Sequence, residues 1–397
     1  MRTTFLPFSP PAIGEEEIAA VVDALRSDWI TTGPRVQELE SAFAARVGVP
    51  DALAVSSCTD AMQVALAALG VGSGDAVLTS PLTFCATAHV AEHLGARPLF
   101  VDIDPTSLNL DPAGIEPVLA EARAAGLVPK VLLPVHHSGQ PCDLDAIVEI
   151  AEHHRLAVVE DAAHALPATW RGRMIGDVGG ATVPRAVAFS FYATKNVTTA
   201  EGGMLTATPD LLDEARLWAL HGMSRDAWKR YGRGGSWYYE VVRPGFKCNM
   251  TDMAAAMGLV QLRRLDELQE RRHKVVARYD AAFAEAPEAL ELPSRRADVE
   301  HAWHLYVLRL HLDRLTIDRD QFITELARRN IAASVHFIPL HLQPFYRDKY
   351  RLAPGDLPLA TGEYARIVSL PLHPRLDDGD VDDVIEAVLD VAATYRR

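Results

Sequence analysis

The chain has 397 residues, enough for one large domain and a smaller one. Its 49% hydrophobic and 23% charged residues are the balance of an ordinary soluble globular protein, and no apolar stretch reaches the eighteen or so residues needed to span a bilayer. A formal charge of −14 argues against a bulk electrostatic grip on nucleic acid, while leaving room for a local basic pocket that holds a phosphate.

At the N-terminus, MRTTFLPFSPPAIGEEE lacks the basic region and apolar run of a signal peptide. Residues 15–27 read as a helix of an N-terminal arm and 31–34 as a turn. From about residue 50 to 210, short apolar runs alternate with helix-like segments. Strands are expected at 52–56, 76–79, 98–102, 131–135, 156–160, 186–191 and 203–207, with helices between them at 60–69, 87–94, 115–124 and 143–154. Several of these runs are β-branched and do not alternate, as strands buried on both faces should. Repeated βα units predict an α/β fold whose mostly parallel sheet is covered by helices, with ligands bound outside the carboxyl ends of the strands. Residues 251–286 read as one or two long helices, and the segments 304–312, 334–337 and 381–394 as parts of a smaller α+β domain, beside which the arm packs. The expected division is 1–250 for the arm and large domain and 251–397 for connecting helices and small domain. The four cysteines, Cys58, Cys85, Cys142 and Cys248, form no CxxC pair, so neither a metal site nor a disulfide framework is signalled and free thiols in a reducing cytoplasm are expected.

Four segments carry chemistry. In FSFYATKNVTTAEGG (189–203) a strand ends at Ser190 and Phe191 and a turn presents Lys195. Alone, such a lysine is usually a solvated surface residue. LAVVEDAAHA places Glu160 and Asp161 at the carboxyl end of an apolar strand, where two acids commonly do no more than cap the next helix. Asp161 precedes Lys195 by thirty-four residues, room for one further strand unit, so the two can face one cleft. That pair is what pyridoxal phosphate requires: an acid to keep the pyridine nitrogen protonated and a lysine to bind the aldehyde. VSSCTDAM (55–62) runs from a strand into a helix, putting Thr59 and Asp60 at a helix N-terminus suited to plain capping or to a phosphate. Phe84 in SPLTFCATAH follows another strand, as a core aromatic or as a ring stacked on a pyridine.

Together these pieces resemble the DegT/DnrJ/StrS-type sugar aminotransferases, a branch of the fold-type-I pyridoxal-phosphate enzymes. The likeness covers nearly the whole chain: DWITTGPRVQELE, TFCATAHVAEHLGARPLFVDID, PVHHSGQPCDLDAI, VVEDAAHA, FSFYATKNVTTAEGGM, GFKCNMTDMAAAMGLVQL, HAWHLYVLRL, SVHFIPLHLQPFY and SLPLHP occur in order. Within that family the likeness is greatest to nucleotide-sugar C-4 aminotransferases such as UDP-4-amino-4-deoxy-L-arabinose aminotransferase, carried by HGMSRDAW and GFKCNMTD. The resemblance implies that Lys195 is the Schiff-base lysine and proton shuttle, that Asp161 pairs with the pyridinium nitrogen, and that His164 lies near the ring's phenolic oxygen. It implies that Ser190, Thr59 and Asp60 hold the phosphate and that Phe84 covers the ring. Lys247 and Asn249 would reach the phosphate of a partner subunit, hence a homodimer with shared sites. Thr31, Thr32, His336, His136 and Trp237 match positions near the sugar nucleotide. The implied reaction moves an amino group from L-glutamate, leaving 2-oxoglutarate, to C-4 of a nucleotide-linked keto sugar, with no metal, nucleic acid or membrane involved.

Three departures stand out. Cys58 occupies the position before the phosphate-binding threonine where relatives usually have glycine, so its side chain is expected to crowd the phosphate loop. GFKCN has Lys247 and Asn249 where many relatives have asparagine and arginine, which matches the C-4 subgroup. GDVGGATVPRAVAFSF is a few residues longer than usual, predicting a longer surface loop. Among other readings, a nicotinamide-dependent oxidoreductase lacks its GxGxxG loop, because Gly70-Val-Gly-Ser-Gly74 follows a helix pattern. A sugar 3-dehydratase on the same fold would carry histidine in place of Lys195. Amination at sugar C-3 and a non-catalytic relative remain as alternatives, and the intact Lys195 and Asp161 favour the enzyme.

Overall fold

Strands that are buried on both faces form the centre of the protein. The structure, a computed structural model, describes residues 2–223 and 238–397. Helices α1 (Glu15–Arg26) and α2 (Pro34–Val47) precede β1 (Leu53–Val55), α3 (Cys58–Ala68), β2 (Asp75–Thr79), α4 (Ala86–His93) and β3 (Arg97–Phe100). There follow α5 (Ile115–Ala124), β4 (Val128–Leu133), α6 (Leu144–His154), β5 (Ala157–Asp161), the short β6 (Thr169–Trp170) and β7 (Arg173–Met174), β8 (Arg185–Ser190), β9 (Gly203–Ala207) and α7 (Pro209–Ala219). Beyond the single long helix α8 (Asp252–Phe283) lie β10 (Leu290–Glu291), β11 (Val299–Glu300), β12 (Tyr306–Leu310), α9 (Arg319–Arg328), α10 (Pro344–Tyr350), α11 (Pro358–Tyr364), β13 (Ile367–Leu370) and α12 (Asp378–Thr394).

The main sheet has seven strands in the order β1-β9-β8-β5-β4-β2-β3. Its pairings are parallel from β8 to β3, and only β9 runs against its neighbours β1 and β8. The absence of polar alternation follows from burial on both sides. Leu78, Val158 and Val187 enter one apolar cluster, while their chain neighbours Val77, Val159 and Ala188 enter the other. A third cluster gathers Tyr279, Phe283, Tyr306, Leu308, Phe322, Val368 and Val388 around the antiparallel sheet β10-β12-β13, and Leu6 of the N-terminal arm joins it.

Two local features differ from expectation. Residues 334–337, expected as part of the small domain, make one isolated bridge, Ser334 to Ser369, and the residues after it turn His336 and Phe337 into a cavity of the large domain. Helix α2, not anticipated from the sequence, begins at Pro34, and its first N–H groups are capped from a distance by the buried Asp252 of α8. Gly33 and Val36 donate to Oδ1 at 2.8 and 3.1 Å and Arg35 to Oδ2 at 3.2 Å. The additional residues before β8 make a surface excursion with Gly179 and Gly180 exposed. Among the described residues no helix is long and apolar enough to cross a membrane.

Candidate active site

A cavity of about 480 Å³ opens at the carboxyl end of the parallel strands. Each part of its wall has a local cause. β5 ends at Asp161, and β8 ends at Ser190 before the turn that presents Lys195. β1 runs into α3, whose N-cap Ser57 accepts a hydrogen bond from the Asp60 N–H at 3.0 Å, aiming the first turn of α3 and Thr59 at the cavity. Gly203 allows this approach: a Cβ there would lie 2.5 Å from the Ser57 carbonyl carbon and 2.6 Å from the Cys58 nitrogen.

The polar groups are set against one another. Lys195 is half-buried, and burial pushes its amine down to about 8 although the Asp161 charge pulls the other way. Its Nζ lies 3.4 Å from His304 Nε2. His304 and His164 stand with ring centroids 4.4 Å apart, and burial, with the charge of Lys195 next, holds both well below the usual histidine range. His336 is pushed down to about 3 by burial, with His137 and Lys195 contributing. These rings are therefore neutral at physiological pH and offer hydrogen bonds rather than charge. The Nδ1 atoms of His164 and His304 are buried without a protein partner.

Of the residues named from sequence, Thr59, Phe84, Asp161, His164, Ser190, Lys195 and His336 line this cavity. Phe84 is 60% exposed at its rim, with its ring centroid 6.1 Å from that of Phe337. Asp60 is placed differently: its carboxylate accepts from the Ser56 and Ser57 hydroxyls at 2.6 and 2.8 Å, with the Cys248 thiol at 3.4 Å, and does not line the cavity. The carboxylate thus ties together the two serines that precede α3, whose cap is Ser57. His136 is also corrected: its ring is fully buried, Nε2 bonds Glu160 at 2.9 Å and Nδ1 accepts from the Cys142 N–H, leaving no edge for a substrate. Glu160 is held at about 2 despite its burial, by the charge of Arg185 and the bond to His136. Thr31, Thr32, Lys247 and Asn249 line a second hollow of about 380 Å³ with Trp29, His221 and Tyr239. There Lys247 donates to Asn249, and Asn249 to the Thr32 hydroxyl. Trp237 lies outside the described residues.

Cys58, the first residue of α3, is buried and lines the cavity. Its thiol turns under the loop toward the Ala188 carbonyl at 3.4 Å and Asp161 Oδ1 at 3.9 Å, and burial together with Asp161 keeps it protonated. Sequence reasoning missed His304, Phe337 and the Thr83–Thr87 pair. The four-residue spacing of the two threonines is visible in the sequence, but Thr83 precedes α4 and it is the fold of the turn that brings the hydroxyls together.

Pyridoxal phosphate fits this donor set. The N–H groups opening α3, with the Thr59 and Ser190 hydroxyls, suit a phosphate dianion; Asp161 suits a protonated pyridine nitrogen; the orphaned His164 edge suits the phenolic oxygen; and Lys195 suits the aldehyde. When bound, the cofactor supplies an electron sink for the bond broken at the substrate carbon.

Comparison with known proteins agrees with this geometry. The profile of the DegT/DnrJ/EryC1/StrS aminotransferase family matches residues 11–389. Spore coat polysaccharide biosynthesis protein SpsC of Bacillus subtilis is 50% identical over 392 residues, covering 98% of each chain. Spr1654 of Streptococcus pneumoniae, a candidate sugar aminotransferase solved in its PMP form, superposes with a TM-score of 0.89 at 36% identity over 98% of this chain and 99% of that one. Its PLP form gives 0.88 at 35% identity over the same shares. Helicobacter pylori PseC, an aminotransferase involved in pseudoaminic acid biosynthesis, gives 0.87 at 26% identity over 99% and 100% of the two chains. The chain belongs to the DegT/DnrJ/EryC1/StrS aminotransferase family, and is a fold-type-I transaminase whose cofactor is pyridoxal phosphate.

Proposed function

We propose that this protein transfers an amino group from L-glutamate to C-4 of a nucleotide-linked 4-keto sugar, as a cytoplasmic homodimer with shared active sites. The observation that carries the reading is one cavity containing Lys195, Asp161 and the N-terminus of α3, in a chain similar to SpsC, Spr1654 and PseC. In this reading Asp161 holds the pyridine nitrogen protonated, α3 with Thr59 and Ser190 anchors the phosphate, and His164 bonds the phenolic oxygen. Lys195 moves the proton to and from the substrate carbon, because an amine lowered to about 8 both gives and takes a proton near neutrality. Neutral His336 and His304 orient sugar hydroxyls without attracting a charge. The four thiols, none of them in a disulfide, accord with a reducing compartment.

The hollow containing Thr31, Thr32, Lys247 and Asn249 supports the dimer reading, since those polar groups lie off the chain's own cavity, where a partner's phosphate would give them an acceptor. Exposed Phe84, Tyr192, Tyr238 and Val241 are apolar surface that such pairing would cover. We read 1–250 as the arm and cofactor-binding domain and 251–397 as connecting helices and small domain; much of the latter packs in a cluster of its own, while Ala255, Leu259 and Leu265 of α8 join the large domain's.

Incubating the protein with UDP- and dTDP-linked 4-keto sugars and L-glutamate, with 2-oxoglutarate and the amino sugar measured together, tests the reaction. Lys195→Ala should reduce turnover by roughly three orders of magnitude or more, having lost both attachment point and proton carrier. It should also lose the visible absorption band that the native protein shows with pyridoxal phosphate. Product aminated at C-3, or near-native turnover of Lys195→Ala, would overturn the corresponding part of the reading.

A further inference from the structure

Asp161 is held by more than its strand. Oδ2 accepts the hydroxyl of Thr87 at 2.8 Å, and Oδ1 accepts the N–H of Ala163 at 3.1 Å. Thr87 is fully buried, and its oxygen lies 2.8 Å from that of Thr83, which lines the cavity. The single hydroxyl proton of Thr87 has two acceptors in reach, the Asp161 carboxylate at 2.8 Å and the Phe84 carbonyl at 3.1 Å. The charged and nearer acceptor takes it. Thr83 then donates to Thr87, and two hydroxyls line up behind the acid in one direction, each strengthening the next.

We propose that Thr87 is a positioning residue for the acid of this site, fixing the rotation of the Asp161 carboxylate so that its remaining lone pairs meet the pyridine N–H of the bound cofactor. A carboxylate has about four lone-pair positions, and donors fixed on both oxygens block its rotation about the last side-chain bond. Thr87 stands in the first turn of α4, where a threonine that merely bonds back to Phe84 would look much the same. The distinction is measurable. The proposal rests on the cofactor assignment, which the visible absorption of the native protein checks on its own.

The test loads Thr87→Val and Thr87→Ser with pyridoxal phosphate labelled with ¹⁵N in the ring. The resonance of that nitrogen reads its protonation and hydrogen bonding directly, apart from activity. Valine keeps the shape and removes the donor. Its resonance should move toward that of an unprotonated pyridine, with kcat lower by roughly tenfold, the scale of one hydrogen bond to a charged group. KM should change less than about twofold, because the interaction matters mainly in the transition state. Serine should return the resonance to the native position. A native resonance in Thr87→Val overturns the proposal, including the case in which kcat falls, since that pattern belongs to a purely structural threonine. If Thr87→Val does not fold, Thr87→Ala decides by the same resonance: a displacement in the same direction supports the proposal, and a native resonance overturns it.

Discussion

Two opposing forces set the charge of Lys195. Burial lowers its amine from 10.5 to about 8, and the Asp161 carboxylate pulls it upward. The free amine is the form that bonds an aldehyde, so uptake of pyridoxal phosphate by the apoprotein should quicken as pH rises through a midpoint near 8. Asp161→Asn removes the upward pull and should move that midpoint to lower pH, with turnover reduced far more than cofactor affinity. Stopped-flow absorbance over a pH series measures both, and a midpoint that stays or rises in the variant would separate the acid from the amine. The sign for stability follows from the same shift. The folded apoprotein disfavours the ammonium, so that penalty is complete below about 8 and fades as pH climbs toward the unfolded value of 10.5. Lys195 and Asp161 were legible in the sequence because strand ends in a parallel sheet share one edge. His304 and Thr87 were not, because their roles arise where other segments pack across that edge. His136 misled for a related reason: it too follows a strand, yet Glu160 and Cys142 hold it inside.

Between elements, the closest constraint is the entry of β9 against the loop that opens α3. Gly203→Ala would set a Cβ within 2.6 Å of backbone atoms of Ser57 and Cys58, and backbone does not yield as a side-chain tip does. The loop must shift, and it carries the N–H groups suited to the phosphate. Overpacking of this kind costs about 1–3 kcal/mol. The expected result is a lower urea midpoint together with a clearly weaker affinity for pyridoxal phosphate, read by titration of the visible band. An unchanged affinity with lowered stability would place the phosphate away from this loop. The strands of the main sheet were readable from sequence because burial on both faces erases alternation and leaves plain apolar runs, as in the LAVV that leads to the acids of β5. That rule says nothing of 334–337, where His336 and Phe337 are enclosed by the cavity and not by a sheet. Helix α2 does carry local signals, with Pro34 in its first turn, Gly48 just past its end and Val36, Leu39, Phe43 and Val47 at helical spacing; only its cap, Asp252, lies more than two hundred residues away.

On the scale of the whole molecule, the two hollows pose a question of assembly. Lys195 and Asp161 share one, while Lys247 and Asn249 share the other with Thr31 and Thr32. The bland reading is that Lys247 and Asn249 serve each other, since the lysine donates to the amide and the amide to the Thr32 hydroxyl. That network, however, leaves the Lys247 ammonium at a solvent-open hollow with no carboxylate bonded to it among the described residues, and an amide N–H₂ and an ammonium are suitable donors to a phosphate dianion. If a two-fold axis brings each hollow onto the partner's cavity, every site draws its lysine from one subunit and its outer phosphate donors from the other. Mixing two inactive proteins then distinguishes the readings: Lys195→Ala, and the double variant Lys247→Ala with Asn249→Ala. A mixed dimer holds one site with both lesions and one with neither, so activity should return to about half of native per heterodimer. The same variants predict opposite results for self-contained sites, where every subunit carries its own lesion and mixing recovers nothing. Subunit exchange is verified separately with differently tagged chains, so that absence of recovery, once heterodimers are isolated, would assign each phosphate site to a single subunit.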